Sequence, residues 1–423
     1  MPIDSTTSSI VLLVGMAVGI DYSLFYLRRT AARDSRFWSL LARVVVRRPL
    51  VWGGVAAAAL LALAVPVLSL HLEDPGIHDL PSNVPVVRSL IDISQAFPGG
   101  PEPAEVVVTG QDLGGPQVGH AVAALRQQVA ASHGALREPV TTAMFGHGQV
   151  LVVSVPLAGD GTDGTSNSAL AALRDHALPA SLAKVPGISY AVGGLTAGNS
   201  DFDAQLAHTV PEVFVFVLGL AFVLLGVSFR SIWIPMLSIG LNVLSVGAAY
   251  GLMVLIFQDG RLEGPLGFTA YGGITPWLPL FMFVLLFGLS MDYHVFILSR
   301  IRELRLSGAS AREAITAGIG RSAGVVTSAA AIMVAVFSIF ATLSLIEFKM
   351  FGVAMAAAVL IDATVVRGVL LPAGLALLGD RTWSREPRRT RQSRQHDDTV
   401  TALTAGEMPQ PAAVTVPSAR GTG

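Results

Sequence analysis

The stretch of sequence that determines the architecture of this chain is Pro276–Leu298, PWLPLFMFVLLFGLSMDYHVFIL. Apart from a short polar group near its carboxyl end, it is apolar throughout. A helix needs about 20 mostly apolar residues to cross the roughly 30 Å hydrocarbon core of a bilayer. The stretch therefore predicts a membrane-spanning helix that holds one carboxylate, Asp292, within the apolar layer.

The whole chain has the composition of a membrane protein. Of its 423 residues, 52% are hydrophobic and 13% are charged, whereas about 25% of the residues of a soluble domain are charged. Cysteine is absent from the sequence, which excludes disulfides and thiolate metal sites. Seven segments are long and apolar enough to span a bilayer: Ser9–Leu27, Leu50–Leu70, Pro211–Phe229, Ile232–Phe257, Pro276–Leu298, Ala323–Leu345 and Met350–Leu378.

The arginines that flank these segments predict the orientation of the chain. They cluster in residues 28–48, 300–321 and 381–394, and Arg230 follows the third segment. Cytoplasmic loops carry an excess of lysine and arginine, and placing all four groups in the cytoplasm lets the segments alternate across the membrane. We therefore expect a multi-pass protein of a bacterial cell membrane, with its amino terminus outside and its carboxyl terminus in the cytoplasm.

The long segment 71–210 is then extracytoplasmic, and its pattern predicts an α/β domain. β-Branched runs indicate strands, and amphipathic runs indicate helices. They follow one another as strand, helix, strand, strand, helix and strand, an order typical of the ferredoxin-like split β-α-β fold. The six predicted elements are Glu105–Thr109, Val118–Ala131, Pro139–Phe145, Gln149–Val155, Ser166–Leu182 and Ile188–Gly193.

Two predicted spans end in related sequences, which indicates an internal repeat. Gly19–Arg29 has the sequence GIDYSLFYLRR, and Ser290–Arg300 has the sequence SMDYHVFILSR. Aspartate, tyrosine, phenylalanine, leucine and a final arginine recur at the same offsets in both. Internal repeats of this kind are common in transporters.

The repeated aspartate and tyrosine are candidates for moving protons. A carboxylate inside a membrane costs roughly 2.5–3.5 kcal/mol on insertion scales, so its presence indicates a function. A tyrosine hydroxyl beside it can donate to the carboxylate or pass a proton on. Asp21, Tyr22, Asp292 and Tyr293 therefore predict a proton relay, with protons as the coupling ion and no other cofactor. The alternative is that each aspartate only hydrogen-bonds a neighbouring helix.

These stretches resemble the MMPL family of the resistance-nodulation-division (RND) superfamily. The resemblance runs from residue 37 to about 383, in addition to the first Asp-Tyr motif. The motifs that carry it are GIDYSLF at 19–25, FPGG at 97–100, GGLTAG at 193–198, GLSMDY at 288–293 and VLIDATVVR at 359–367.

The resemblance implies that the chain exports a lipid or another hydrophobic molecule. It also implies that the two Asp-Tyr pairs face each other at mid-membrane and carry the proton flux. The family has twelve spans and two porter domains, whereas this chain begins at what resembles the fourth span and lacks the fifth and sixth. A second departure is His294, at a position where the family often has an acidic residue.

Together, these patterns predict an α-helical polytopic membrane protein with about seven spanning helices and one α/β, ferredoxin-like, porter-type extracytoplasmic domain. The predicted domains are a first span in 1–29, a basic cytoplasmic linker in 30–49, a second span in 50–70, the external domain in 71–210, a five-span bundle in 211–379 and a disordered basic cytoplasmic tail in 380–423.

Four more polar residues are candidates for supporting the relay: Ser290, His294, Asp362 and Arg367. Asp362 is a third carboxyl group within a span, and Arg367 follows it about a turn and a half later. We favour a structural salt bridge over direct proton transfer for this pair. Asn242, in the fourth predicted span, is interpreted as a packing residue.

The leading hypothesis for function is proton-driven export of a hydrophobic molecule. The alternative is a truncated remnant that does not transport, or a half-transporter or scaffold that needs a partner or another copy. An enzyme is not expected, because the sequence contains no nucleophile–base arrangement and no metal-ligand spacing. The expected partners are membrane lipids and the hydrophobic cargo, and no nucleic acid.

Overall fold

A computed structural model describes residues 35–76, 85–96, 103–379 and 381 of the chain. The predicted span Ser9–Leu27 lies outside the described residues, as does almost all of the predicted tail. Within the described residues, six helices are long and apolar enough to cross a membrane: Pro49–Ser69, Leu195–Phe229, Trp233–Gln258, Trp277–Leu306, Ala311–Phe340 and Ile346–Leu378.

The helices and strands are numbered in chain order. The helices are α1 (Arg36–Arg47), α2 (Pro49–Ala64), α3 (Pro85–Ala96), α4 (Pro116–Ala131), α5 (Gly164–Ala171), α6 (Leu195–Phe229), α7 (Trp233–Met253), α8 (Trp277–Leu306), α9 (Ala311–Phe340), α10 (Ile346–Ile361) and α11 (Leu371–Leu378). The strands are β1 (Ala104–Gly110), β2 (Thr141–Phe145), β3 (Val150–Val155) and β4 (Ile188–Gly193). Helix α2 continues as a 3₁₀ turn, and π-helical segments follow α5, α7 and α10.

The spanning helices differ in how far they are enclosed by the rest of the protein. About half of the most apolar part of α7, α8, α9 and α10 is buried, between 44% and 56% in each case. The same fraction is only 11% in α2 and in α6. The first four helices therefore form the packed centre, and α2 and α6 lie at its periphery with most of their apolar side chains exposed.

Glycines allow α2 to approach α7 closely. A Cβ atom on Gly251 would overlap the backbone carbonyl of Leu63, and one on Gly247 would lie 3.5 Å from the Cβ of Ala64. Small residues at such positions let helix backbones approach in a membrane, where lipid supplies no hydrophobic drive for association. These two glycines therefore allow the backbones of α2 and α7 to pack closely.

The segment between α3 and α6 forms a four-stranded antiparallel sheet with the strand order β2-β3-β1-β4. Strand β1 pairs with β3 from Ala104 opposite Val155 to Thr109 opposite Val150, and β4 pairs along its other edge. The elements run β-α-β-β-α-β along the chain, which is the arrangement of the split β-α-β fold. The alternate residues Val106, Val108 and Val153 are buried in one core with α4 and the helices after β3.

Strand β4 passes directly into α6, which enters the membrane without a break. Gly194 has a φ of 102° and joins the two elements, and a Cβ there would lie 2.9 Å from the carbonyl oxygen of Pro103. Only glycine adopts such a conformation without strain. The helix then continues for 35 residues, with Pro211 inside it, at the start of the predicted span.

Two segments that contain arginine clusters are helical. Residues 36–47 of the predicted linker form helix α1. Residues 300–321 comprise the end of α8 and the beginning of α9, with a short connection between them. A capping box begins α9: the backbone N–H of Glu313 donates to Ser310 Oγ, and the Glu313 carboxylate accepts from the backbone N–H of Ser310.

We expect Gly251→Ala to destabilise the bundle by about 1–3 kcal/mol, because the added methyl group would force α2 and α7 apart. The measurement is the midpoint of thermal unfolding in detergent. Gly240→Ala is the matched control on the same helix, since nothing lies within 4 Å of its added Cβ. Equal midpoints for the two variants would contradict close packing at Gly251.

Candidate functional site

The predicted relay residues in α8 lie on different sides of the helix. Asp292 is exposed, whereas Tyr293 and Ser290 are buried and His294 has 0% of its surface exposed. Successive residues of an α-helix point about 100° apart, so Asp292 and Tyr293 cannot both face the centre of the bundle. Asp21 and Tyr22, the other predicted pair, lie outside the described residues.

Asp362 and Arg367 form an ion pair inside the bundle. Only 7% of Asp362 and 5% of Arg367 is exposed, and Arg367 Nη2 donates to Asp362 Oδ2. Both residues belong to the π-helical segment Asp362–Leu370. Because a π-helix repeats its hydrogen bonds from i to i+5, residues five apart lie on the same face. The ion pair favoured by the sequence is present, and the π-helical turn brings its partners together.

The arginine of this ion pair joins the last spanning helix to α8. The guanidinium carbon of Arg367 lies 4.3 Å from the centre of the Tyr293 ring. A cation over an aromatic face is attracted by the ring quadrupole, and the attraction is stronger when both groups are removed from water. The tyrosine of the repeated motif is therefore held against a buried positive charge.

A second set of polar groups links α7 to α8 near the same point. Ser290 Oγ donates to Asn242 Oδ1 across a distance of 2.6 Å. His294 Nδ1 lies 3.0 Å from the backbone carbonyl oxygen of Ser290. A carbonyl oxygen can only accept, so His294 Nδ1 carries a hydrogen atom and donates it. In a neutral imidazole, the other nitrogen, Nε2, is then an acceptor.

A small cavity lies among these residues. It offers about 20 Å³ for the centres of water molecules, and a cavity needs roughly 10–15 Å³ on this measure to hold one water. Its lining is apolar except for a few residues, among them Asn242, Ser290, Tyr293, Asp362 and Arg367.

Four buried polar atoms around this cluster have no hydrogen-bond partner among the described residues. They are Asn242 Nδ2, Arg367 Nε, Asp362 Oδ1 and His294 Nε2. Asn242, Arg367 and Asp362 line the cavity, and one water molecule can accept from two donors and donate to a carboxylate oxygen. The cluster therefore has the polarity and the room to hold an internal water molecule. We call Asn242, Ser290, Tyr293, His294, Asp362 and Arg367 the buried polar cluster.

Asn242 is the member of the cluster whose polar contact the sequence does not predict. The sequence interprets it as a packing residue, and in the structure only 1% of its surface is exposed, as that interpretation expects. Its side chain also accepts a hydrogen bond from Ser290 Oγ. An amide inside a span costs free energy unless it is bonded, so its position in the segment was the available signal. Within the described residues, no group of three or more His, Cys, Asp and Glu residues is placed to hold a metal ion.

Comparison with known proteins assigns the chain to a family. The family model described as the MMPL family matches residues 78–407, which include the four-stranded sheet and five of the six candidate spans found in the described residues. The chain belongs to the MMPL family. It is therefore a multi-pass membrane protein of the RND superfamily, as its Asp-Tyr motif and its other family motifs indicate.

Three MMPL relatives show how far the similarity extends. The mycolic acid-containing lipids exporter MmpL11 of Mycolicibacterium smegmatis is 37% identical over 380 residues. The heme uptake protein MmpL11 of Mycobacterium tuberculosis is 36% identical over 361 residues. The trehalose monomycolate exporter MmpL3 of Mycobacterium tuberculosis is 30% identical over 363 residues.

The alignments cover most of this chain but a minor part of each relative. They include 85%, 84% and 84% of this chain, and 38%, 36% and 38% of the respective relatives. The chain thus spans less than half the length of these MMPL proteins.

We expect Asp362→Asn to lower the free energy of unfolding by about 3–5 kcal/mol, because Arg367 would keep a buried charge without its partner. The double variant Asp362→Leu/Arg367→Met removes both charges and should recover most of that loss. The measurement is denaturant unfolding in mixed micelles.

Glu303→Gln is the control for this experiment. It breaks the ion pair between Glu303 and Arg300, whose side chains are 68% and 41% exposed. The expected loss is below about 1 kcal/mol, because water screens an exposed pair. A double variant as unstable as Asp362→Asn would show that the loss does not come from an unpaired charge.

Proposed function

We propose that this chain forms the proton-coupled half of an MMPL transporter that exports a lipid or another hydrophobic molecule. The observation that carries the proposal is the position of the repeated Asp-Tyr motif. Asp292 lies on the exposed side of α8, and its neighbour Tyr293 lines the cavity of the buried polar cluster. The motif therefore links an outer helix surface to an internal polar site.

The proposed proton route begins at Asp292 and leads inward through Tyr293. The Tyr293 ring is held under Arg367, which fixes the position of the motif relative to the last span. A water molecule in the cavity would donate to Asp362 Oδ1, an acceptor that lines the cavity and has no hydrogen-bond partner among the described residues. Movement of a proton along the Asp-Tyr motif changes the charge near Arg367, and such a change couples proton uptake to the packing of the helices.

The proposed orientation follows from the arginine clusters. By the positive-inside rule, helix α1, the carboxyl end of α8 and the amino end of α9 lie in the cytoplasm. The four-stranded sheet then lies outside, joined to the membrane part by the continuous helix α6. An external domain attached to a spanning helix without a flexible linker can respond to movements of that helix, as cargo release through a porter-type domain requires.

The cargo class is inferred from the relatives. Two of them are named as exporters of mycolic acid-containing lipids and of trehalose monomycolate, and a third as a heme uptake protein. These molecules share a large apolar part. We infer a hydrophobic cargo for this chain and assign no particular lipid.

A half-transporter that works with a partner is the second candidate function, and the exposure of Asp292 favours it. A carboxylate on an outward-facing helix surface in a membrane needs a polar neighbour. By resemblance, Asp21 and Tyr22 supply one. A second copy of the chain or a separate partner would bring further groups to the same surface.

The test is dissipation of an imposed pH gradient by the full chain in reconstituted vesicles. We expect the wild type to dissipate the gradient and Asp292→Asn to slow the process at least about tenfold, since an amide cannot take up and release the proton. Asp21→Asn should have the same effect. Asp175→Asn, which changes an exposed carboxylate in the external domain, is the matched control and should behave as wild type.

The result also separates the two candidate functions. A folded wild-type chain that leaves the gradient intact would overturn unaided transport. If the gradient then collapses when a partner half is reconstituted with the chain, and only while Asp292 is present, the partner-dependent function is supported. Proton flux that is unchanged in Asp292→Asn would contradict the relay itself.

A further inference from the structure

A basic cavity is lined by helix α1 and the beginning of α9. It offers about 560 Å³ for the centres of water molecules, far more than the cavity in the bundle. Two of its arginines, Arg43 and Arg47, come from α1, and two, Arg312 and Arg321, come from α9. The one carboxylate in the described lining is Glu313, so the lining has a formal charge of +3.

Glu313, the one carboxylate of the described lining, forms hydrogen bonds with Ser310. Glu313 Oε2 accepts hydrogen bonds from the backbone N–H of Ser310 at 3.0 Å and from its hydroxyl at 2.7 Å. These bonds belong to the capping box at the start of α9. Among the described residues, no ion pair is formed by the guanidinium groups of Arg43, Arg47 or Arg312. The described lining therefore has a net positive charge, to which Arg43, Arg47 and Arg312 contribute without an acidic partner among the described residues.

The walls of the cavity are held in place by packing, so the arginines do not depend on a loose segment. The backbone N–H of Ser35 donates to the carbonyl oxygen of Gly320 at 3.2 Å. A Cβ on Gly320 would lie 3.1 Å from the Cβ of Ser39, which shows how closely α1 and α9 approach. On the same helix α1, Ala42, Val45 and Val46 are buried. The two pairs of arginines thus face one cavity from two fixed helices.

The location of α1 identifies the surroundings of the cavity. Helix α1 ends at Arg47, and the peripheral span α2 begins two residues later at Pro49. The cavity therefore lies where the spans leave the membrane. Helix α1 also exposes an apolar stripe of Phe37, Leu40 and Val44. A helix with an apolar stripe beside basic residues is typical of the membrane–water boundary.

We propose that this cavity binds the phosphodiester headgroup of an anionic membrane lipid, with the acyl chains along the apolar stripe of α1. Arginine forks match the geometry of phosphate oxygens, and basic pockets at the ends of spanning helices bind anionic headgroups. A lipid accounts for both the charge of the cavity and the apolar stripe, whereas a free anion accounts only for the charge. The site is separate from the buried polar cluster and does not depend on proton transport.

The test is thermal unfolding of the full chain in uncharged detergent with short-chain lipids. We expect dihexanoyl phosphatidylglycerol to raise the unfolding midpoint saturably and dihexanoyl phosphatidylcholine, which has no net charge, to have little effect. The double variant Arg43→Gln/Arg47→Gln should bind the anionic lipid about 25-fold more weakly, at roughly fivefold for each arginine near the surface. Added salt should weaken binding to the wild type.

Two further variants distinguish a loss of lipid binding from a loss of folding. Arg36→Gln removes a charge from α1 at a position outside the cavity lining, and it should bind the lipid as wild type does. Arg312→Gln changes the opposite wall and should weaken binding about fivefold, with an unchanged midpoint in the absence of lipid.

Three outcomes would overturn the proposal. One is equal stabilisation by inorganic phosphate at matched concentrations, which would indicate a soluble-anion site. Another is an equal loss of lipid binding in Arg36→Gln, which would indicate a diffuse charge effect. The third is the absence of any selective effect of phosphatidylglycerol on the wild type.

Discussion

The ion pair between Asp362 and Arg367 is the constraint on which the rest of the membrane part depends. Neither charge is stable in an apolar interior without the other. An α-helix would place residues five apart on different faces, so the chain adopts a π-helical segment from Asp362 to Leu370. The irregular segment of the last span is thus explained by an electrostatic requirement. π-Helical segments are frequently found at functional sites.

The position of this pair orders the neighbouring helices. Arg367 lies over Tyr293 of α8, and α8 in turn contacts α7 through the bond between Ser290 and Asn242. Three helices are therefore tied together by polar contacts at one level of the bundle. Lipid gives no hydrophobic drive for helix association, so such contacts, together with close packing at glycines, determine which helices are neighbours. The buried polar cluster is therefore a structural centre of the membrane part.

The four-stranded sheet and the basic cavity lie away from this centre. Helix α6 joins the sheet to the membrane part, and α1 is packed on α9 at Gly320. The sheet is therefore connected to the spans by one continuous helix, and the cavity is formed by a helix that packs directly on a span.

The sequence by itself determined the spanning helices, the order of strands and helices in the external domain, and the family. These features depend on apolar length, on periodicity and on local motifs, which are properties of contiguous residues. Only the tertiary structure decided that Asp292 and Tyr293 face different surroundings, that Asn242 belongs to the polar cluster, and that residues 36–47 form a helix beside a basic cavity. These facts depend on which side chains of distant segments meet, and local sequence patterns do not contain that information. The ion pair between Asp362 and Arg367 is predictable because its residues are only five apart, whereas the contact of Arg367 with Tyr293 is not.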